Sequence, residues 1–138
     1  MSNEKKQISV VLAPKKAEEF FYNALCNGLP YFCQYGFLID WEEKDYKKAK
    51  ASWNKKHPKS QACREDIWME ILRVGGKLIF EDQEGGDNTK SIVLSDVHTK
   101  VALTPIQHLS DMINETDDAT TGDMIIQSVL FDGEIIFG

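Results

Sequence analysis

The side chains with most chemistry to offer in this 138-residue chain are three cysteines, Cys26, Cys33 and Cys63, and three histidines, His57, His98 and His108. Cys63 stands in Gln61-Ala62-Cys63-Arg64, the opening of a Q-A-C-R-G nucleophile motif. Such a thiol needs a histidine base, about 50 residues upstream in chains of that kind, and a glycine-bearing turn for the oxyanion. Here Glu65 replaces the glycine, and the nearest upstream histidine is His57. The pattern predicts a packing thiol on the apolar face of a helix. Cys26 and Cys33 are seven residues apart and His98 and His108 ten, whereas zinc sites show closely spaced cysteine or histidine pairs. No metal site and no cofactor is expected. No secretory leader is legible, so three cysteines read as free thiols in a reducing compartment, and a cytoplasmic protein is expected.

The loop Glu81-Asp82-Gln83-Glu84-Gly85-Gly86-Asp87-Asn88 has the composition of a cation loop but not its D-x-D-x-D-G register. No phosphate-cradling glycine loop, dinucleotide fingerprint or nucleophile elbow occurs in the chain. Carboxylates are so plentiful that their pairs nominate no acid–base couple. The expectation is a protein that binds and does not catalyse.

Net charge is −6, unevenly spread. Residues 1–70 hold 12 basic and 10 acidic side chains, a net of +2; residues 71–138 hold 4 and 12, a net of −8. Asymmetry of this kind points to a charged interaction face. One candidate is the run of seven lysines from Lys44 to Lys59, with Tyr46 and Trp53 interleaved. It could hold phosphates and stack a base, although Glu42, Glu43 and Asp45 adjoin it and a solvated helix is the simpler reading. The other is the acidic set Glu81, Asp82, Glu84 and Asp87 with Glu115, Asp117, Asp118 and Asp123. Gathered on one side, these would form a negative field able to occupy a basic nucleic-acid channel on another protein, with fast, salt-sensitive association.

The elements that must position these groups follow from periodicity. Gln7 to Leu12 is β-branched and reads as a strand. Pro14 opens a helix whose Ala17, Phe20, Phe21, Ala24 and Leu25 share one face and which Asn27-Gly28 should end. Tyr31 to Trp41 is aromatic and reads as a strand broken near Gly36. Glu42 to Lys56 is a solvated helix with a narrow stripe of Tyr46, Ala49 and Trp53. Ser60 can cap the next helix, which Gly75-Gly76 stops. Lys77 to Asp82 and Ser91 to Leu94 form a hairpin, residues 77–94. A short helix from Ser95 or Asp96, one from Thr104-Pro105, and one from Thr120 or Thr121 follow, and the tail Glu134 to Gly138 reads as a docked terminal strand. The whole is one α+β domain over 1–138: a small, mostly antiparallel sheet packed by about five helices. The Lys-rich segment 44–60 is its one candidate insert.

Composition agrees: 42% hydrophobic and 28% charged residues exclude a disordered, collagenous or disulfide-stapled chain. No apolar run approaches the ~20 residues that span a bilayer, so no membrane partner is expected.

Three segments carry a resemblance. Ala24-Leu25-Cys26-Asn27-Gly28-Leu29-Pro30-Tyr31-Phe32-Cys33 is similar to an A-L-x-x-G-I-x-Y-W-C pattern, and Gly75-Gly76-Lys77-Leu78 with Glu81 to Glu84 to a G-G-x-L strand and acidic turn. Asp123 to Gly138 is similar to an A-D-x-I-x-Q-x-x-L-F-G-E-I-V-F-G ending. These patterns belong to small uncharacterised proteins of phages and conjugative elements of gut bacteria, and the chain also resembles anti-CRISPR proteins of Bacteroidetes in size and setting. It departs in Phe32 for Trp, Gly122 for Ala, the added Asp132 and the Lys-rich insert. The resemblance implies an anti-defence role: inhibition of a host nucleic-acid-handling defence protein, a CRISPR Cas nuclease for example, through the acidic face and without binding nucleic acid directly. Two other readings stand beside it. Tyr31, Phe32, Tyr35, Phe37 and Trp41 with Arg64 could stack and pair a signalling nucleotide in an oligomeric sponge. The chain could also be a phage structural or assembly protein. A homo-oligomer is left open.

Overall fold

The structure, a computed structural model, describes residues 10–138. Half of the expected strand Gln7–Leu12, residues 7–9, lies outside them; Val10 to Leu12 are irregular. Helix α1 spans Pro14–Cys33, with Pro14 in its first turn. It does not stop at Asn27-Gly28. Its buried side runs Ala17, Phe20, Phe21, Ala24, Leu25, Gly28, Leu29, Phe32, an unbroken i, i+3, i+4 series. Pro30 leaves the Cys26 carbonyl without its helical donor, at an exposed position that water reaches. Tyr31 to Cys33 therefore belong to a helix, and only Phe37–Trp41 forms strand β1, entered through Gly36 at φ +93°.

Two helices follow, α2 (Glu43–Lys56) and α3 (Arg64–Arg73), packed on each other. Cys63, not Ser60, is the residue before α3, and its N–H donates to the Asp66 carboxylate. The hairpin is β2 (Leu78–Asp82) and β3 (Lys90–Ile92). Then come α4 (Leu94–Lys100), a 3-10 turn, α5 (Ile106–Ile113) and α6 (Ala119–Leu130). Asp118 caps α6 by accepting the Thr121 N–H at 3.0 Å. Among the described residues six α-helices and a three-stranded antiparallel sheet of order β1-β2-β3 make an α+β domain. The Lys-rich segment is α2, and its Ala49 and Trp53 join the common core.

Helix α1 is the axis of the fold, and α6 lies along it. They touch backbone to backbone where Gly28 meets Gly122: a Cβ on Gly28 would stand 2.5 Å from the Gly122 carbonyl carbon. Phe37, Leu78, Phe80 and Ile92 turn the inner sheet face onto these helices.

Charge is also built into the packing. Buried Glu70 takes Lys56 Nζ at 2.7 Å and the Ser52 hydroxyl, and Glu18 takes Arg73 and His98 at 2.9 and 2.8 Å. Burial raises both carboxyl pKa values, but these hydrogen bonds and the basic partners' charges outweigh it, leaving both below the ordinary 4.5. A carboxyl depressed in the fold contributes stability above its unfolded pKa and loses it as pH falls through the folded one. The melting temperature is expected to decline as pH drops below 4.5, less steeply in Glu70→Gln. A melting temperature constant between about pH 6 and pH 3 would contradict these ion pairs.

Candidate functional site

Among the described residues helices cover the sheet on one face only, and strand alternation sends Leu38, Asp40, Ile79, Glu81 and Ser91 to the other. Leu38, 57% exposed, stands opposite Glu81; Asp40 stands opposite Ile79. A leucine and a half-buried isoleucine thus sit among carboxylates on an open surface.

The loop after β2 extends that surface. Asp82, 9% exposed, is its internal support, accepting the Glu84 N–H at 2.9 Å and the Asn88 N–H at 3.2 Å. The Asp82 N–H in turn donates to the Thr89 hydroxyl. Gly36 leaves room for the Glu84 side chain, whose Cγ would meet a Cβ there at 2.9 Å. Glu81 accepts a bond from Gln83. Among the described residues Glu81, Glu84 and Asp87 have no lysine or arginine partner.

The remaining expected site residues do not join them. Asp123 is 1% exposed and cannot be part of a docking face. Its Oδ2 accepts the Tyr35 hydroxyl at 2.7 Å and its Oδ1 the Gln127 amide at 3.1 Å. Burial raises its pKa despite those donors. Asp118 is spent on the α6 cap. Glu115 and Asp117 border a groove with Lys16, Glu19 and Asn23, on the N-terminal half of α1. From Asn23 to the end of α1 at Cys33, just before the Gly36 that packs on Glu84, the helix rise alone is about 15 Å, well beyond the Debye length of about 8 Å at physiological salt. The eight carboxylates are thus no single field: Glu81, Glu84 and Asp87 form the hairpin group, Glu115 and Asp117 a separate one.

Elsewhere in the acidic half, Asp96 and Asp132 both hold Lys100, at 3.0 and 2.7 Å. The lysine-rich helix is open to solvent, but Trp53 is buried and Tyr46 stacks on Trp41 at 5.6 Å, so neither ring is free to stack a base. Of the aromatic run, Phe32 and Phe37 are core and Tyr35 stacks on Phe137 at 4.9 Å, whereas Tyr31 is exposed and Trp41 lines a groove with Arg64. Cys63 is exposed at the head of α3, not on its apolar face, and its thiol lies 3.7 Å from the Tyr22 hydroxyl. Cys26 is exposed too, and burial still pushes the Cys26 and Cys33 thiols up, away from the thiolate. Among the described residues no three His, Cys, Asp or Glu side chains converge as metal ligands, and no helix is long and apolar enough to cross a membrane.

Two concavities had no motif to announce them. A polar cleft of about 550 Å³ lies between Glu18, Tyr22, Trp53, His57, Asp66 and Arg73. An apolar groove of about 490 Å³ runs beside β1, between Leu29, Pro30, Leu38, Trp41, Arg64 and Trp68. Only the aromatic run hinted at the second. The signature ending has a structural role: Gln127 Oε1 accepts the N–H groups of Ile136 and Phe137, and its amide donates to the Phe137 carbonyl and to Asp123. The tail is not a strand; a side-chain amide clasps it.

Comparison with protein-family models, curated proteins and solved structures finds no match to this chain.

Proposed function

We propose that the chain is a binding protein that inhibits a nucleic-acid-handling host defence protein, with a CRISPR Cas nuclease as the first target to test. The occupied surface on that target is basic, and this chain meets it with the outer sheet face and the hairpin. The observation that supports this reading is the exposed Leu38 opposite Glu81, with Glu84 and Asp87 on the adjoining loop, carboxylates that have no lysine or arginine partner among the described residues. An apolar anchor inside a charged rim is how protein interfaces combine affinity with steering. The earlier eight-residue acidic face contracts to these three carboxylates, with Asp40 added from the same sheet face.

The test is a plasmid-interference assay in cells carrying a CRISPR Cas nuclease, with the chain expressed alongside. Wild type is expected to rescue transformation. Glu81→Lys/Glu84→Lys/Asp87→Lys is expected to lose about tenfold or more of that rescue, while Glu115→Lys/Asp117→Lys keeps it. Equal rescue by both variants would sink the hairpin as the binding face.

A further inference from the structure

Strand β1 is an edge. Among the described residues β2 pairs with one side of it and no strand with the other. The Gln83 N–H donates to the Gly36 carbonyl, so the hydrogen-bonded pairs of the β1–β2 ladder fall at Gly36–Gln83, Leu38–Glu81 and Asp40–Ile79. Phe37, Ile39 and Trp41 therefore turn their N–H and C=O groups to the free edge. The Trp41 N–H confirms the phase: it is held by its neighbour's carboxylate, Asp40 Oδ1, at 2.8 Å. The edge carries no proline, lysine or bulge to blunt it. The apolar groove of Leu29, Pro30, Leu38, Trp41, Arg64 and Trp68 runs beside it.

The sequence of that edge is complementary to itself. An antiparallel two-fold through Ile39 sets Phe37 against the second copy's Trp41, and Ile39 against Ile39. These are the positions whose backbone groups point outward, so each such pair can exchange both N–H···O bonds. The Trp41 N–H exchanges the Asp40 carboxylate for a Phe37 carbonyl. Leu38 and Asp40 then face each other across the axis as non-hydrogen-bonded pairs, where side chains come closest. No carboxylate meets a carboxylate. A shift of the register by two residues loses one of the three outward pairs, and a shift by one puts outward groups against inward ones.

We infer that a second copy of this chain docks on the free edge of β1 in that register, joining two three-stranded sheets into one of six strands and closing the flanking apolar grooves over the axis. The hairpin acids Glu81, Glu84 and Asp87 stay uncovered, while Leu38 and Asp40 of the basic-partner face lie at the axis.

Sedimentation equilibrium over a concentration series tests it. Wild type is expected to rise from the 15.7 kDa of one chain toward twice that mass. Leu38→Glu opposes a carboxylate to Asp40 of the other copy at two symmetric positions and should weaken association about tenfold or more. Adding Asp40→Lys to Leu38→Glu reverses the sign at both positions and should restore the dimer. Circular dichroism on each variant separates loss of pairing from loss of fold. Should Leu38→Glu unfold, the wild-type series and the double variant decide. A wild-type mass that stays at one chain throughout, a folded Leu38→Glu that dimerises like wild type, or a folded double variant that stays monomeric overturns the inference. Glu81→Lys/Glu84→Lys/Asp87→Lys leaves β1 unchanged and should dimerise like wild type while losing the basic partner, so the two readings fail separately.

Discussion

Gly28→Ala is expected to lower the melting temperature by about 10 °C, although alanine is the better helix former. The gain in helix propensity is about 1 kcal/mol. Against it, the new methyl group would stand 2.5 Å from the Gly122 carbonyl carbon and 2.6 Å from the Asp123 nitrogen. Both are backbone atoms of α6, so no rotamer change relieves the clash, and the two helices must move apart along the most extensive helix contact of the fold. Overpacking costs typically about 1–3 kcal/mol and occasionally more; a rigid backbone neighbour places this site at or above the top of that range. A net loss of about 2–3 kcal/mol corresponds to about 10 °C in a domain of this size. Cys26→Ala, two residues away on an exposed position of the same helix, should shift stability by less than about 0.5 kcal/mol. Thermal unfolding of the two variants side by side checks the helix contact, and equal melting temperatures would refute it.

Gln127→Leu is expected to release the C-terminal tail. The substitution keeps the side-chain volume but leaves the N–H groups of Ile136 and Phe137, the Phe137 carbonyl and Asp123 Oδ1 each without a partner. A buried polar group so orphaned costs about 1–3 kcal/mol, and four together exceed what docking a five-residue tail can offset. The tail should therefore leave for water, taking Phe137 off Tyr35. Amide exchange at residues 134–138 is expected to rise to the rate of an unprotected peptide, with global stability lower by about 2–4 kcal/mol. Protection at Ile136 and Phe137 equal to wild type would contradict the clasp. Asp123 adds a pH signature of opposite sign to that of Glu18 and Glu70. Its pKa is raised in the fold, so its contribution is fullest at low pH and shrinks as pH rises from 3.8 through the higher folded value.

Much of the fold is written in local pattern. The hairpin is legible from two short apolar runs and a glycine loop, α5 from Thr104-Pro105, and α6 from its start near Thr120 or Thr121, one or two residues from the observed Ala119. The start of α1 is equally plain. Its end is not, because Asn27-Gly28 and Pro30 are stop chemistry and Tyr31-Phe32-Cys33 has strand propensity. The decisive fact, Gly28 lying against Gly122, is a contact of residues 94 positions apart. The one local clue was that Gly28, Leu29 and Phe32 continue the stripe of Ala17 and Phe21. The tail shows the converse: Glu134-Ile135-Ile136-Phe137 has strand composition but meets a glutamine, not a sheet edge.

The candidate site was half legible. Charge counting found the acidic half of the chain but could not sort carboxylates by employment. Asp82 builds a loop, Asp118 caps a helix, Asp123 is buried under Tyr35, and only the hairpin group keeps its charge on open surface beside Leu38. Asp123 and Gln127, four apart and so on one face of α6, were the signal that one of these acids faces inward. The register of β1, which makes its edge self-complementary, emerges only once β2 is seen to lie beside it.

In the proposed complex the hairpin carboxylates meet a basic surface. Titration of the purified chain against a purified CRISPR Cas nuclease, at about 50 and 200 mM salt, measures this directly. The prediction is an association rate that falls by about tenfold or more between the two salts. In Glu81→Lys/Glu84→Lys/Asp87→Lys the rate should start lower and lose that dependence. Binding with the same rate at both salts, undiminished in the hairpin variant, would contradict it.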